Sequence, residues 1–454
     1  MREKVDRNFY KILFSIAIPI AVQSFITSLL NLIDVFMISS LDTASIGGVS
    51  IANKIFFLLN LFLFGTNSGA AILASQYFGK KDFQSIRKVL GISLILGVGG
   101  SLIVSLGAIF IPEVIITYFA PNEPAMISEG GKYLRIIGFS YIFTSITFSY
   151  SFLLRSTHNA KLPMVITVGA IIINTFFNWV LIFGKLGAPA LGVEGAAIAT
   201  VVARTFECLI LVYFVYKFRL ALAGKLSEIF KFTRAFFKHY IGAVGFVILN
   251  EVVWSLGVTG YSFVYGRMGE VVTASMAITQ PIEQLSFVAF FGLCNACGVM
   301  LGNLLGANEK EKAIQYAKKF LFLVTAISVI LSVVILLSSS FIANLFNVDP
   351  VVKKNVVNCL IVFSLYIPFK VLNMLIIVGV LRSGGDTFAS LMIDLFGVWG
   401  IGIPMAIFGG LYLKLDIQFV YAMILIEEVV KLILCLFRYH SKKWVKNIVV
   451  NSPT

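Results

Sequence analysis

The sequence predicts an all-α membrane protein, with twelve transmembrane helices in two six-helix bundles related by pseudo-two-fold symmetry, and three observations carry that prediction. Hydrophobic residues make up 59% of the 454 positions and the mean hydropathy is +0.94, more apolar surface than a soluble core can enclose. Apolar runs of spanning length recur along the whole chain, since about 20 residues at 1.5 Å each cross a hydrocarbon layer roughly 30 Å thick. The sequence also matches itself when displaced by 227 residues, half its length.

Apolar runs broken by charged or Gly/Pro-rich stretches place spans at 12–39, 45–77, 90–111, 133–154, 163–183 and 191–216, then at 239–265, 271–304, 317–346, 356–381, 388–412 and 417–437. Several exceed 25 residues, which predicts tilting, kinking or run-on into the loops. None alternates apolar and polar residues as a barrel strand does. The first run lacks the short h-region and small-residue cleavage site of a signal peptide, so the N-terminus is expected to stay attached. The N-terminus, the even-numbered loops and the C-terminal tail hold 25 of the 36 Lys and Arg residues, which predicts a plasma-membrane protein with both termini cytoplasmic. The net charge of +14 is then a topology signal with anionic-lipid contact, not a nucleic-acid footprint.

At the 227-residue displacement Gly65 and Gly79 fall on Gly292 and Gly306, and Leu154-Arg155-Ser156 falls on Leu381-Arg382-Ser383. Ser101, Ile103 and Ser105 fall on Ser328, Ile330 and Ser332, and Cys208-Leu209 falls on Cys435-Leu436. Polar and glycine matches at one shift exceed what apolar bias produces. Six spans per half is an even number, so both halves enter the membrane in the same direction and leave a cleft between two lobes. The expected organisation is an N-lobe at 1–216, a basic cytoplasmic linker at 217–238 with an interfacial helix, and a C-lobe at 239–454.

Five cysteines fall inside predicted spans, and the Cys294-Asn295-Ala296-Cys297 spacing lacks the second Cys pair or His that zinc requires, so packing is the expected role. His158, His239 and His440 show no metal-ligand spacing. No paired-His or Ser/His/Asp arrangement points to an enzyme.

Ionisable and polar residues inside hydrocarbon are expensive, so each marks a site of cation coupling or substrate contact. Asp34, Asn178 and Thr200 each lie roughly 9 Å inside the outer surface at 1.5 Å per residue. Asn174 and Asn178, at i,i+4, share one helix face that can turn toward Asp34. Together Asp34, Asn174, Asn178 and Thr200 form a hard-oxygen pocket for Na⁺, or Asp34 alone is a proton site. Glu251 and Asp394 lie about 18–20 Å from the inner surface and are expected at one level, where two carboxylates facing one cavity suit proton or cation exchange. Each carboxyl alternatively bonds only to a neighbouring helix. Glu283, beside Gln280 and Gln284, is a secondary cavity residue. Arg204 and Lys431 occupy equivalent repeat positions and read as intrahelical ion pairs with Glu207 and with Glu427 or Glu428, while Lys54, Arg135 and Lys370 snorkel or pair. Pro19 removes a backbone hydrogen bond inside the first span and is the expected hinge, or a static kink.

With these residues in place the chain resembles the MATE (multidrug and toxic compound extrusion) transporters over nearly its whole length. The matching segments are Ile18-Pro19 through Asn31-Leu32-Ile33-Asp34, Gly65 to Gly79-Lys80-Lys81-Asp82, Asn174 through Asn178 to Gly184, Gly192 to Thr200, Gly302-Asn303-Leu304-Leu305-Gly306-Ala307 and Leu381 to Asp386. The resemblance implies two six-helix bundles forming a V and export of organic cations in exchange for inward Na⁺ or H⁺, with no cofactor beyond that ion. It implies that Asp34, Asn174 and Thr200 belong to the N-lobe cation site, that Glu251 is the seventh-helix acid, and that Asp394 contributes in the C-lobe. Asn178 stands where many relatives carry Asp, which removes one charge from the N-lobe site. The expected partners are a small organic cation and membrane lipid, with no nucleic acid and no obligate protein. The rival readings are a flippase for lipid-linked oligosaccharides and a narrow metabolite exporter; the Gly79-Lys80-Lys81-Asp82-Phe83 loop does not follow the major facilitator pattern.

Overall fold

The computed structural model describes residues 2–39, 41, 43–346 and 348–450, with the side chains of 2–7, 30–36, 39 and 43 outside the description. Among the described residues the regular structure is entirely helical. The first half holds α1 (Arg2–Ser39), α2 (Thr43–Gly79), α3 (Phe83–Phe110), α4 (Pro112–Phe119), α5 (Pro124–Ile137), α6 (Ser140–Ser156), α7 (Lys161–Phe183) and α8 (Gly192–Lys217). After α9 (Leu226–Phe230) come α10 (Arg234–Met268), α11 (Glu270–Gly306), α12 (Lys310–Asn344), α13 (Pro350–Met374), α14 (Thr387–Leu395), α15 (Ile403–Ile407) and α16 (Ile417–His440). Wider π-helical turns at Leu375–Leu381, Phe396–Gly402 and Phe408–Tyr412 extend α13, α14 and α15.

Helix ends follow local chemistry. Asp82 caps α3 by accepting the Ser85 amide at 3.0 Å, and Asp349 caps α13 by accepting the Val351 amide at 2.7 Å with Pro350 in the first turn. Gly184 ends α7 in the left-handed conformation, φ +65, where a side chain would be strained.

Among the described residues ten helical segments are long and apolar enough to cross a membrane, and an eleventh follows if α5 and α6, bent by 49°, form one span. The span expected at 133–154 is therefore a bent pair. α16 has spanning length at 24 residues but carries Glu427, Glu428 and Lys431. Outward faces are apolar: along α12 Phe322 and Leu337 are each 80% exposed, with Ile330, Val334 and Phe341 at helical spacing on the same face. Water would penalise that stripe; acyl chains do not. The chain is a multi-pass membrane protein.

Contacts divide the chain into two compact units, Val22–Ile241 and Met1–Ala21 with Gly242–Ser452. The first is centred on a core that includes Leu59, Leu63, Leu134, Tyr141 and Ala197. α1 is helical through Pro19, two residues before the division. The 217–238 stretch packs within the first unit: Ile229 of α9 is buried, Arg87 of α3 pairs with Glu228 at 2.7 Å, and a Cβ at Gly91 would strike the Ile229 carbonyl.

In the second unit the end of α16 and the residues after it pack onto the turn that follows the 375–381 segment. Arg438 grips Asp386 with two hydrogen bonds of 2.6 and 2.7 Å, and buried Trp444 donates to the Tyr439 carbonyl at 3.2 Å. Asn447 donates to the Gly306 carbonyl at 3.2 Å. A Cβ at Gly384 would overlap the Trp444 carbonyl, whereas one at Gly99 meets nothing within 4 Å. Gly384→Val is therefore expected to lower stability by about 1–3 kcal/mol, while Gly99→Ala has little effect, measured as thermal unfolding in mild detergent.

Candidate functional site

Antiparallel α7 and α8 are joined by a short loop in which the Leu191 amide bonds the Leu181 carbonyl at 2.8 Å. That turn sets Asn174 and Asn178 of α7 beside Thr200 of α8. Asn174 Nδ2 donates to Thr200 Oγ1 and Asn178 Nδ2 to Asn174 Oδ1, both at 3.2 Å, and the Thr200 hydroxyl donates to the Ala196 carbonyl at 3.0 Å. The polar stripe expected from the sequence is thus assembled, with amide and hydroxyl oxygens of the kind a hard cation accepts. Asp34 belongs to α1, and its side chain lies outside the described residues.

Asn174 and Thr200 line a cavity of about 460 Å³ within the Val22–Ile241 unit. Its walls combine Ile38, Val49, Phe56 and Phe57 with Asn53, Asn60, Tyr133 and Thr144, and with Arg204 and Glu207. That volume and mixture suit an amphipathic small molecule, apolar over most of its surface and fixed by a few polar groups.

Glu207, almost fully buried, accepts from Arg204 at 2.8 Å and from the Thr167 hydroxyl at 2.7 Å. The line continues away from the cavity, because Gln23 Nε2 donates to Thr167 Oγ1 at 2.8 Å and Arg155 Nη2 donates to Gln23 Oε1 at 2.7 Å. Charges in hydrocarbon persist only with partners, and these five side chains partner one another.

The Gly242–Ser452 unit holds a second buried network. Glu251 pairs with Arg382 at 2.9 Å. Asp394 accepts from Asn250 Nδ2 at 2.9 Å and lies 4.0 Å from Lys431. Lys431 also reaches Glu427 at 3.4 Å and Glu428 at 3.2 Å; Tyr261 donates its hydroxyl to Glu427, and Asn373 donates to Glu428 at 2.8 Å. The π-helical turns at 375–381 and 396–402 end just before Arg382 and start just after Asp394, and such turns accompany functional positions.

Several sequence expectations are met with altered emphasis. Arg204 pairs with Glu207 and Lys431 with Glu427 and Glu428, as the spacing implied, but both groups reach further than their own helix. Glu251 faces Arg382, and Asp394 faces Asn250 and Lys431. Glu283 is bound by Lys370 at 3.3 Å and by the Tyr421 hydroxyl. Arg135 pairs with Glu113 at 2.7 Å, and Lys54 lies over the Phe119 ring at 6.0 Å. All five cysteines are buried and free.

Sequence reasoning missed Gln23, Arg155, Thr167 and Asn53 in one unit and Asn250, Asn373 and Tyr261 in the other. The repeat held the signal. At the 227-residue displacement Gln23, Arg155, Thr167 and Arg204 fall on Asn250, Arg382, Asp394 and Lys431. The Gln23 to Thr167 bond is repeated by Asn250 to Asp394, at 2.8 and 2.9 Å. Asp34 and Thr200 fall on Tyr261 and Glu427, so the carboxyl moves from the first helix of one repeat to the sixth of the other.

The MatE family model matches residues 19–180 and 246–408. The chain is 24% identical to the uncharacterized transporter YisQ of Bacillus subtilis, over 98% of this chain and 97% of that one. It is also 24% identical to the probable multidrug resistance protein NorM of Thermotoga maritima, over 97% and 94%. Among solved structures, MATE in the bent conformation superposes with a TM-score of 0.87 at 19% identity, covering 98% and 97%. An outward-facing multidrug resistance MATE family transporter superposes with 0.83 at 21%, covering 95% and 96%.

Arg204→Leu leaves Glu207 buried without its cation and is expected to cost about 3–5 kcal/mol, whereas Arg204→Leu with Glu207→Leu recovers most of that loss. Chemical unfolding of the three variants in detergent measures the difference.

Proposed function

The chain belongs to the MatE family, and from that premise we propose that it is a drug efflux transporter exchanging outgoing organic cations for inward Na⁺ or H⁺. The observation that carries the reading is the cavity of about 460 Å³ in the Val22–Ile241 unit, apolar and aromatic over much of its wall, with Asn174 and Thr200 on its polar side. The names of relatives such as the Thermotoga NorM protein agree with drug efflux. We place both termini in the cytoplasm of a plasma-membrane protein, on the distribution of Lys and Arg, and α16 as the twelfth span.

Alternating access follows the physics of competing ligands. A cation that binds the outward state more tightly than the inward one shifts the population by its differential affinity and by no more. Asp34, with Asn174, Asn178 and Thr200, takes the Na⁺ or H⁺ in the first unit; Glu251 and Asp394 exchange a proton or cation in the second. Glu283 contributes from α11, and Pro19 is the hinge of α1. A lipid-linked oligosaccharide flippase would need a strongly cationic cavity to hold pyrophosphate, and the lone cation of the described cavity, Arg204, is neutralised by Glu207.

Ethidium efflux from energised cells, with the Na⁺ and proton gradients varied independently, tests the proposal. Wild type should require one of the two gradients, Glu251→Gln should lose at least ten-fold in rate, and Asn174→Ala with Thr200→Ala should raise KM about ten-fold, equivalent to about 1.4 kcal/mol of binding. Failure of wild type to move any cationic dye under either gradient would sink the drug-efflux reading in favour of a narrow metabolite exporter.

A further inference from the structure

In the Gly242–Ser452 unit a groove of about 420 Å³ runs between the start of α14 and the end of α16. Phe388, Ala389, Met392 and Ile393 form one wall, and Leu434 and Phe437 the other, so it is apolar along its length. Its polar wall residues, Arg438 and Ser441, both stand at one end, about 6 and 10 Å along α16 from Leu434 at 1.5 Å per residue. Phe388 and Phe437 are 55% and 73% exposed, which opens the groove on a face that acyl chains cover. The far wall is held in place, because the Phe388 ring sits edge-on to Phe246 of α10 with centroids 5.3 Å apart.

The polar end is positively charged and fixed. Asp386 accepts from Arg438 Nε at 2.6 Å and from Nη2 at 2.7 Å, which orients the guanidinium and leaves Nη1 outside the pair. The Ser441 hydroxyl donates to the Arg438 carbonyl at 2.7 Å and accepts from the Lys443 amide at 3.4 Å, so Lys443 is tied to the same turn. Lys442, left-handed at φ +54, and Lys443 are both exposed. Three cations thus stand against one carboxylate, and no acidic residue follows Glu428 as far as Thr454. The apolar stripe of α12 differs in kind: from Phe320 to Phe346 it has no charge to choose one lipid over another. Nor does the chain itself supply an occupant. No stretch outside the description exceeds four residues, and 451–454 reads Asn-Ser-Pro-Thr.

We propose that the groove binds one anionic phospholipid, an acyl chain lying between α14 and α16 and the phosphate meeting Arg438 Nη1 and the ammonium groups of Lys442 and Lys443. Basic pockets between spans at the cytoplasmic surface suit such headgroups, because anionic lipid is concentrated in that leaflet. A charge-assisted bond from a guanidinium already oriented by Asp386 adds direction to that attraction. The apolar walls take the chain, and the two requirements together select a lipid over a soluble phosphate. The site rests on the cytoplasmic placement of the end of α16 given above, and not on drug efflux.

Native mass spectrometry of the purified full-length protein, released from micelles containing equal phosphatidylglycerol and phosphatidylcholine, reads the lipid without any transport. Wild type should retain one phosphatidylglycerol per chain in about ten-fold excess over phosphatidylcholine. Lys442→Gln with Lys443→Gln should remove most of that excess, since two lysines at an anionic surface are together worth about ten-fold or more in affinity. Ala389→Trp fills the groove, leaves every charge in place, and should abolish retention. Equal retention of the two lipids overturns the proposal, as does an excess that Ala389→Trp leaves intact. A two-chain mass that Ala389→Trp returns to one chain also overturns it and gives the groove to a second copy. If Ala389→Trp fails to fold, wild type and the lysine variant decide. A protein that retains the lipid yet moves no dye refutes the efflux reading and leaves the site intact, and equal retention in a protein that moves dye does the reverse.

Discussion

Hydrocarbon offers no partner to a buried charge, and the architecture of both units follows from that constraint. Helices satisfy the backbone internally, which leaves the side chains to be solved one by one. Glu207, Glu251, Glu283, Asp394, Glu427 and Glu428 all sit inside helices with little exposure, and each touches a cation, a hydroxyl or a carboxamide. The helix contacts that bring such partners together come from distant sequence: 144 residues separate Asn250 from Asp394, and 144 separate Gln23 from Thr167. Apolar packing between helices is weakly directional in lipid, so these polar bonds supply much of the specificity of pairing.

The repeat turns one solution into two. A carboxamide on the first helix of each half bonds the fifth helix, an arginine closes the end of the fourth span, and a basic residue stands on the sixth. The halves then diverge in charge. Where the first unit has Thr167 and Thr200, the second has Asp394 and Glu427, so the first unit leaves an open cavity whose charged wall residues are the paired Arg204 and Glu207, and the second becomes a dense ionic cluster.

Much of the fold was legible because membrane spans are read from long apolar runs, which tolerate errors of several residues. The Asn174, Asn178 and Thr200 stripe was legible too, because helical periodicity and a short loop fix those positions locally. The bend that splits the 133–154 run into α5 and α6 was not, since no proline marks Gly138 and Phe139. Nor were the partners of Glu251 and Asp394. An isolated carboxylate in an apolar run says that a partner exists but not which helix brings it, and the expected span 356–381 stops one residue short of Arg382. Lys431 was readable as an i,i+4 partner of Glu427, a local relation that concealed its approach to Asp394 from across the bundle.

The claim that buried ionic partners hold each unit together is tested most directly by a double-mutant cycle on Glu251 and Arg382. Unfolding in mild detergent is compared for wild type, Glu251→Gln, Arg382→Gln and the double variant. A coupled pair should show each single change costing about 3–5 kcal/mol and the double change costing far less than their sum. Strict additivity of the two losses would mean that the 2.9 Å contact carries no interaction energy, and would contradict the account.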